Sequence, residues 1–352
     1  MADKSTTPVR LALLLVGFGH VGRRFVRLLD ELRVPLGDLG VEPAVVGIAT
    51  RRHGSKCDGA GFDAAQAASS VERGDALGPA LSSLDAIRRL GSPSIEACVL
   101  VETTPLDIQS GEPAISHVRA AFAAGMHVIT ANKGPAAFAY RALAAEARRA
   151  GVSFLFEGAV MDGVPVFNLV RETLPAVTIR GFRGVVNSTT NHILSALERG
   201  ESFASALARM QADGVAEADP SLDIDGWDAA AKTAALANVL LDADLTPQRV
   251  DREGLTAASG ARARSAIAAG RRLKLVATAT CHADGVEARV RLEELEGHDP
   301  LAILDDQANA LELDTWPMGR IVITERDGGL EKTAYALVSD LVTVARRIRA
   351  RR

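Results

Sequence analysis

Residues 217–232, EADPSLDIDGWDAAAK, combine acidic side chains and a lysine at a spacing that could do chemistry. Five carboxylates fall within twelve residues and one lysine follows them: Glu217, Asp219, Asp223, Asp225, Asp228 and Lys232. Pro220 and Gly226 disfavour a continuous helix over the first part, whereas the alanine-rich residues after Trp227 favour one. On that helix Asp228 and Lys232 are four residues apart and share one face.

Lys232 supports two interpretations. Its alanine neighbours give it no long side chains to lie against, so it could point into a pocket, where burial brings the pKa of a lysine toward neutrality. A lysine in such a pocket can exchange a proton with a substrate. Alternatively, Lys232 and Asp228 form an exposed ion pair, which contributes little stability, on a helix whose N-cap is Asp225.

The overall composition is that of a globular protein and excludes some partners. Only 24% of the 352 residues are charged and the net charge is −4, which gives no basis for binding nucleic acid or an anionic membrane. The apolar run at residues 11–19 is too short to span a bilayer, and we expect no signal peptide. Cys57, Cys98 and Cys281 lack metal-ligand spacing and indicate a reducing compartment, so we expect a cytoplasmic protein.

A glycine-rich motif follows the first apolar run. Residues 10–16 read as a buried parallel strand, and GFGHVG at 17–22 leads directly into a helical pattern. In this position the motif predicts a dinucleotide site, with the phosphates at the helix N-terminus. The residues expected to bind the cofactor are Gly17, Phe18, Gly19, His20, Val21 and Gly22. The alternative is a glycine-rich turn without a ligand.

The end of the second strand indicates which dinucleotide is bound. The strand at residues 44–50 runs into Arg51 and Arg52, where NAD-selective sites usually carry an acidic residue. Two guanidinium groups suit the 2′-phosphate of NADP, so we predict NADP, with NAD as the alternative. The arginines could also be solvated loop residues.

Two further strand ends should face the same crevice. The strand at residues 97–101 ends near Thr103 and Thr104, which could bind the cofactor or only cap a turn. The strand that begins at His127 delivers Asn132 and Lys133, so a second lysine is expected beside the nicotinamide.

The order of elements predicts an α/β protein. An N-terminal Rossmann dinucleotide-binding domain should occupy residues 1–156, and an α+β substrate and dimerisation domain with a mixed, largely antiparallel sheet should occupy 157–314. Residues 152–160 and 178–190 should each form a strand, and the helix that begins at Pro135 should end at Gly151. Alternating segments joined at Asp284 and Gly285 predict a hairpin, and a long amphipathic helix should end the chain. The sequence contains no internal repeat and no low-complexity tract.

Several of these segments resemble the homoserine dehydrogenase family. They are GFGHVG at 17–22, HVITANKGP at 127–135, EGAVMDGVPVFNL at 157–169, GVVNSTTNHIL at 184–194, AEADPSLDIDGWDAAAK at 216–232 and HDPLAILDDQANAL at 298–311. The resemblance extends from about residue 9 to 345 and implies the short form of the family, without a C-terminal regulatory domain. It also implies that about 315–352 returns to the cofactor domain.

The resemblance implies reversible conversion of aspartate 4-semialdehyde and L-homoserine with NAD(P)(H), in threonine, methionine and isoleucine biosynthesis, by a homodimer. Lys232 would be the proton donor, Asp228 would orient it, and Lys133 would act beside the carbonyl and cofactor. Glu217 would bind the substrate ammonium group, with Thr190 in the same pocket. Asp219 and Asp223 would bind substrate or only fix the loop.

The turn at residues 157–165 corresponds to one that binds a monovalent cation in the family. Glu157 and backbone carbonyls at Val160, Asp162 and Val164 would supply oxygen ligands for sodium or potassium, or the turn would bind no ion.

Three segments depart from the family pattern: Ser188 within NSTTN, Met161–Asp162 in place of glycines, and residues 324–334. The first two concern the substrate pocket, so a sister enzyme acting on another small hydroxy or amino acid is an alternative. A non-catalytic NADP-binding sensor is a third reading, disfavoured by the two lysines.

Overall fold

The computed structural model describes residues 7–90, 97–212 and 220–352. The chain divides into two compact units. The first contains residues up to Pro135, then Arg141–Pro165 and Gly329–Arg352, and the second contains Ala136–Tyr140 and Val166–Gly328. The first unit therefore runs on to Pro165, past the boundary expected at residue 156.

The first unit is built on a mainly parallel sheet with the order β3-β2-β1-β4-β5-β6. Its strands are β1 (Val9–Val16), β2 (Val41–Ala49), β3 (Ser55–Cys57), β4 (Cys98–Glu102), β5 (His127–Thr130) and β6 (Phe154–Leu155). Only β3 pairs antiparallel, as a short edge strand. Because β1 and β4 are buried almost throughout, their apolar runs lack alternation, as expected for strands covered on both faces.

Helices connect and cover this sheet. They are α1 (His20–Glu31), α2 (Arg33–Asp38), α3 (Ala64–Glu72), α4 (Ser83–Leu90), α5 (Ala114–Ala123) and α6 (Gly134–Ala150). Helix α6 ends at Gly151, which adopts the left-handed conformation (φ 68°) that glycine tolerates best. These positions confirm the Rossmann-type fold expected of the N-terminal part.

The last helix, α13 (Leu330–Arg349), belongs to the first unit. Its apolar stripe, which includes Leu337 and Leu341, joins the same buried core as Phe25 of α1. Beside that core, Arg24 on α1 donates a 2.7 Å hydrogen bond to Glu331 on α13. Burial of the stripe explains why an amphipathic helix so far along the chain packs against the first sheet.

The second unit is built on a mixed sheet with the order β12-β11-β7-β9-β10-β8. Its strands are β7 (Thr178–Val185), β8 (Asp251–Arg252), β9 (Arg271–His282), β10 (Gly285–Glu296), β11 (Asn309–Trp316) and β12 (Gly319–Glu325). Neighbours are antiparallel except β8 and β10. The predicted hairpin of β9 and β10 is confirmed, and its turn lies at Ala283 and Asp284, one residue before the expected pair Asp284 and Gly285.

Helices of the second unit carry two of the candidate catalytic residues, Asp228 and Lys232. They are α7 (Val166–Asn168), α8 (Ser188–Glu198), α9 (Phe203–Ala212), α10 (Ser221–Ile224), α11 (Trp227–Leu240) and α12 (Ser259–Ala268). Helices α8, α11 and α12 pack against β9 or β10. Along β10, Ala288, Val290 and Leu292 are buried while the residues between them are more exposed, so one face of the sheet is covered.

Three local predictions were wrong. The strand expected over residues 152–160 is limited to Phe154–Leu155, because a 3₁₀ turn begins at Glu157. The strand expected over 178–190 ends at Val185, and the residues after Asn187 open helix α8. Asp225 does not cap α11, because a left-handed Gly226 (φ 78°) is the N-cap and Asp225 ends the short helix α10.

Among the described residues, every helix is too short or too polar to span a membrane.

Candidate active site

The three glycines of the turn between β1 and α1 differ in how closely other atoms surround them. Gly17 has φ +87°, and a Cβ there would lie 2.7 Å from backbone atoms of Thr103. A Cβ on Gly22 would lie 3.1 Å from the Thr103 hydroxyl oxygen and 3.2 Å from the Gly17 carbonyl. Gly19, by contrast, has no heavy atom within 4 Å of that position. The first and third glycines permit close packing, and the second leaves space over the turn.

The N-terminus of α1 is suited to a phosphate. Gly19 is its N-cap and offers no side-chain cap, so the first N–H groups of the helix have no side-chain acceptor at the cap. Such groups and the helix dipole favour an anion. Phe18 is buried in the core, so it can serve a cofactor only through its backbone, whereas His20 is exposed at the first helical position. This cradle fits a dinucleotide pyrophosphate.

The loop after β2 presents two arginines to solvent. The Thr50 hydroxyl donates a 2.9 Å hydrogen bond to the Gly54 carbonyl and accepts one of 2.8 Å from the His53 N–H. These bonds close the loop and leave Arg51 and Arg52 exposed. Residues 50–57 contain no carboxylate, so this part of the chain has no acidic partner for ribose hydroxyls.

The two threonines after β4 use their hydroxyl hydrogens within the protein. Thr103 Oγ1 donates a 3.0 Å hydrogen bond to the Gly17 carbonyl, and Thr104 Oγ1 donates to the buried Glu102 carboxylate. Thr130 donates a 3.1 Å hydrogen bond to Glu102 Oε2. His117 Nδ1 lies 3.5 Å from Glu102 Oε1, the oxygen that accepts from Thr104. The structure thus favours a supporting role for both hydroxyls over direct hydrogen-bond donation to a cofactor.

Hydrogen bonds of the Asn132 side chain fix the backbone next to Lys133. Asn132 Nδ2 donates hydrogen bonds to the carbonyls of Thr104 at 2.9 Å and Pro105 at 3.2 Å. Asn132 Oδ1 accepts a 2.8 Å hydrogen bond from the Gly134 N–H at the start of α6. These bonds hold the backbone on both sides of Lys133, which is the N-cap of α6 and half-buried. Sequence reasoning placed Asn132 at the crevice without assigning it a role, and it missed Glu102, although both lie at strand ends.

In the second unit, Lys232 is held inside a polar cluster. Its Nζ donates a 2.8 Å hydrogen bond to the Val186 carbonyl and lies 3.1 Å from Asp228 Oδ2. The side chains of Lys232 and Asp228 are 14% and 15% exposed. The structure confirms that the two share a helix face, but it rejects the exposed ion pair, because both groups are largely shielded from water.

One amide joins the acidic cluster to α8. Asn187 Nδ2 donates to Asp223 Oδ1 at 2.7 Å and to Asp228 Oδ2 at 2.8 Å. Asn187 Oδ1 accepts a 2.8 Å hydrogen bond from the Thr190 N–H and so caps α8. Asp223, Asp228, Asn187 and Lys232 are therefore brought together, and sequence reasoning did not assign Asn187 a role.

Thr190 is placed less favourably for contact with a substrate. It is 1% exposed, and its hydroxyl donates a 3.1 Å hydrogen bond to the Asn187 carbonyl one helical turn earlier. Glu217 and Asp219 lie outside the described residues.

The side chain of Asp162, in the candidate cation turn, is engaged by the start of another helix. Both oxygens of its carboxylate accept hydrogen bonds at the start of α13, one of 2.7 Å from the Gly329 N–H and one of 3.0 Å from the Thr333 hydroxyl. These bonds commit the Asp162 side chain to α13, which fits the expectation that its backbone carbonyl would face a cation. Glu157 is 2% exposed, and the described residues contain no cluster of three His, Cys, Asp or Glu side chains that could hold a metal. The available donors are the oxygens that a monovalent cation prefers.

The fold and the glycine cradle define an NAD(P)-binding oxidoreductase with a Rossmann-type domain and a separate α+β unit. Comparison with known families narrows this class. A model described as homoserine dehydrogenase, NAD binding domain, matches residues 17–157, and a model described as homoserine dehydrogenase matches residues 165–342. The chain belongs to the homoserine dehydrogenase family, and it is an oxidoreductase that acts on CH–OH groups with NAD(P).

Individual relatives cover nearly the whole chain. An NAD(+)-dependent homoserine dehydrogenase from Pseudomonas canavaninivorans is 37% identical, over 94% of this chain and 95% of its own. The crystal structure of a homoserine dehydrogenase from Thiobacillus denitrificans has a TM-score of 0.82 at 30% identity, over 98% of this chain and 75% of its own. A hyperthermophilic archaeal homoserine dehydrogenase in complex with NADPH has a TM-score of 0.77 at 25% identity, over 96% of this chain and 98% of its own.

Proposed function

We propose that this protein catalyses reversible hydride transfer between aspartate 4-semialdehyde and L-homoserine with NADP(H), in the biosynthesis of threonine, methionine and isoleucine. The observation that carries the proposal is the position of Lys232. Its ammonium group is shielded from water and oriented by the Val186 carbonyl and the Asp228 carboxylate. A dehydrogenase needs such a group to give a proton to the carbonyl oxygen and to take it back.

The chain's own residues divide the work between the two units. The bound nicotinamide supplies hydride chemistry. In reduction, Lys232 Nζ gives its proton to the substrate oxygen, and in oxidation the neutral amine accepts the proton of the hydroxyl. Asp228 orients Lys232 and stabilises its ammonium form. In the first unit, Lys133 serves the cofactor side, where the Asn132 hydrogen bonds fix the adjacent backbone.

Carboxylates of the acidic segment are proposed to bind the substrate ammonium group. Glu217 has the main role by its position in the motif, with Asp219 beside it. Asp223 already accepts a hydrogen bond from Asn187, which supports the loop-fixing role for this residue. The Thr190 hydroxyl already donates a hydrogen bond to the Asn187 carbonyl within α8. We therefore assign Thr190 to the wall of the substrate pocket and give it no direct hydrogen bond to the substrate.

The choice of NADP over NAD is supported by Arg51 and Arg52. Both side chains are exposed at the end of β2, where proteins of this fold contact the adenosine ribose of the cofactor. The relatives do not agree on the cofactor: one is named for NAD(+) and another binds NADPH. The proposal therefore rests on the arginines and on the missing carboxylate.

We also propose a sodium or potassium ion at the turn after β6. Glu157 and the carbonyls of Val160, Asp162 and Val164 would hold it. Met161 and Asp162 both adopt left-handed conformations (φ 53° and 49°), a backbone that turns sharply at this point. Two further proposals rest on the family resemblance and on the cysteines: a homodimer, which light scattering would test, and a cytoplasmic location.

A substrate and cofactor panel tests the proposed function. Purified protein should reduce NADP with L-homoserine, followed by absorbance at 340 nm, and show much weaker turnover with L-serine, L-threonine and 4-hydroxybutyrate. Parallel series with NAD, and with sodium or potassium replaced by tetramethylammonium, test the cofactor and cation proposals separately. Preference for another hydroxy acid would overturn the substrate assignment, and no turnover with any of them would overturn catalysis.

A further inference from the structure

Asn187 is more extensively bonded than a helix cap needs to be. A helix N-cap has one task, which is to accept a hydrogen bond from the second or third N–H of its helix. Asn187 Oδ1 performs that task by accepting the Thr190 N–H. Serine, threonine or aspartate would cap α8 about as well, so the cap alone does not explain an amide at this position.

The amide nitrogen has a second task. An amide NH₂ group has two hydrogens, and at Asn187 each is donated to a different carboxylate. One hydrogen bond of 2.7 Å reaches Asp223 on α10, and one of 2.8 Å reaches Asp228 on α11. Asn187 is 4% exposed, so water cannot easily replace these bonds. A single side chain therefore ties together α8, α10 and α11.

The same segment also fixes the proton donor directly. The carbonyl of Val186, the residue before Asn187, accepts a hydrogen bond from Lys232 Nζ at 2.8 Å. Asp228 Oδ2, which Asn187 holds, is the carboxylate oxygen 3.1 Å from that same Nζ. Both described anchors of Lys232 thus depend on the backbone or side chain of residues 186 and 187.

We infer that Asn187 is a positioning residue for the reaction: its amide holds Asp228, and through Asp228 it sets the orientation of Lys232. The inference rests on the proposed function, because it assigns a role relative to the proton donor. The two hydrogen bonds from Asn187 are charge-assisted, and they offset part of the repulsion between the carboxylates that they bring close. It acts on the substrate only through Lys232.

Three substitutions separate positioning from capping. Asn187→Ser keeps an oxygen that can accept the Thr190 N–H but removes both donors to the carboxylates. Asn187→Asp also keeps a good cap, but it places a third carboxylate against Asp223 and Asp228. Asn187→Ala removes cap and donors together. A residue that only caps α8 would tolerate the first two and not the third.

Asn191 provides a matched control on the same helix. It is 1% exposed, and its Nδ2 donates hydrogen bonds to the carbonyls of Asp306 and Ala308 at 3.1 and 3.0 Å. It is therefore a buried, multiply bonded asparagine with no described bond to Asp228 or Lys232. Asn191→Ser should lower the melting temperature and leave kcat within about twofold of wild type.

The expected result is a split between kcat and the other parameters. For Asn187→Ser and Asn187→Asp, kcat with homoserine should fall about 10- to 100-fold, because small displacements of a catalytic group cost that much. The KM for NADP should stay within about twofold, and the melting temperature of Asn187→Ser should fall about as far as that of Asn191→Ser, since each variant loses two buried hydrogen bonds. If both variants keep wild-type kcat, the inference is overturned and Asn187 is a cap only.

A crystal structure of Asn187→Ser gives a readout that does not depend on the substrate. The inference predicts that the Asp228 carboxylate turns away and that the 3.1 Å contact with Lys232 Nζ is lost. Retention of that contact at wild-type geometry would overturn the inference even if the protein used another substrate. Conversely, failure of wild type to oxidise homoserine would count against the proposed function and leave the crystallographic outcome to decide the role of Asn187.

Discussion

At the scale of single residues, buried polar groups show how closely the second unit is specified. Lys274 on β9 is fully buried, and its ammonium group donates a 2.9 Å hydrogen bond to Asn191 Oδ1 and another to the Leu304 carbonyl. Burial lowers its pKa from the ordinary 10.5 to about 8, and the nearby Glu198 carboxylate opposes that change. The Lys274 ammonium group has thus lost its hydration, and its described hydrogen bonds go to neutral acceptors.

The depressed pKa of Lys274 predicts a pH dependence of stability. Between pH 8 and 10.5 the unfolded chain carries the proton and the folded protein does not. This group therefore makes the free energy of unfolding increase as pH rises, by about 1.4 kcal/mol per pH unit and roughly 3 kcal/mol in total. Urea unfolding across that range should show the increase, and Lys274→Met should remove this part of the slope. Parallel profiles for the two proteins would show that Lys274 does not titrate there.

Single residues also show what the sequence could reveal. The turn at Gly17, Gly19 and Gly22 is predictable because each backbone requirement lies within a few residues, and the pairing of Asp228 with Lys232 follows from helix spacing alone. The bond from Asn187 to Asp223 spans 36 residues, and that from Asp162 to Gly329 spans 167. Such bonds depend on how elements pack, which periodicity and propensity do not encode.

At the scale of elements, helix α13 depends on a cap supplied from elsewhere in the chain. Gly329, its N-cap residue, has no side chain, and Asp162 accepts the Gly329 N–H and the Thr333 hydroxyl. Asp162→Ala should lower the free energy of unfolding by about 1–2 kcal/mol, since both bonds are lost. Asp162→Asn is the control, because asparagine keeps an acceptor and tolerates φ near 49°. Equal stability of Asp162→Ala and wild type would refute the cap.

The end of β2 is the element that should decide between the two cofactors. The double substitution Arg51→Ala and Arg52→Ala should raise the KM for NADP at least about tenfold, because two charge-assisted contacts to the 2′-phosphate are removed. The KM for NAD should change by less than about twofold. Steady-state kinetics with both cofactors measure the ratio. A similar loss for NAD and NADP would mean that these arginines do not read the 2′-phosphate.

The elements themselves were largely accessible from sequence. Buried strands, the glycine-ended helix α6 and the hairpin at Asp284 follow local patterns, and the structure confirms them. The strand expected near Phe154 is much shorter than predicted, because its apolar residues continue into a buried 3₁₀ turn at Glu157. An apolar run indicates that residues are buried, but it does not show whether the buried residues form a strand or a turn.

At the scale of the whole molecule, the proposed function assigns different parts of one activity to the two units. The first unit supplies the glycine cradle, the arginines after β2 and Lys133. The second unit supplies the polar cluster around Lys232, with Asn187 and Asp228. The return of α13 to the first unit shows that the cofactor domain is not a continuous block of sequence.

This division predicts different consequences for the two lysines. Lys133→Ala should reduce turnover and also weaken cofactor binding, because Lys133 lies on the cofactor side. Lys232→Ala should leave cofactor affinity near normal, since the cradle at Gly17, Gly19 and Gly22 is intact. Fluorescence titration with NADPH measures the affinity of both variants. If Lys232→Ala weakened NADPH as much as Lys133→Ala, the division of roles would be wrong.

The most direct test of the central claim is the turnover of Lys232→Ala with L-homoserine and saturating NADP, followed at 340 nm beside wild type. Because a general acid–base group contributes about 10²- to 10⁴-fold, kcat should fall by that factor while the variant remains folded and binds NADPH. Wild-type kcat in Lys232→Ala would contradict the assignment of Lys232 as the proton donor.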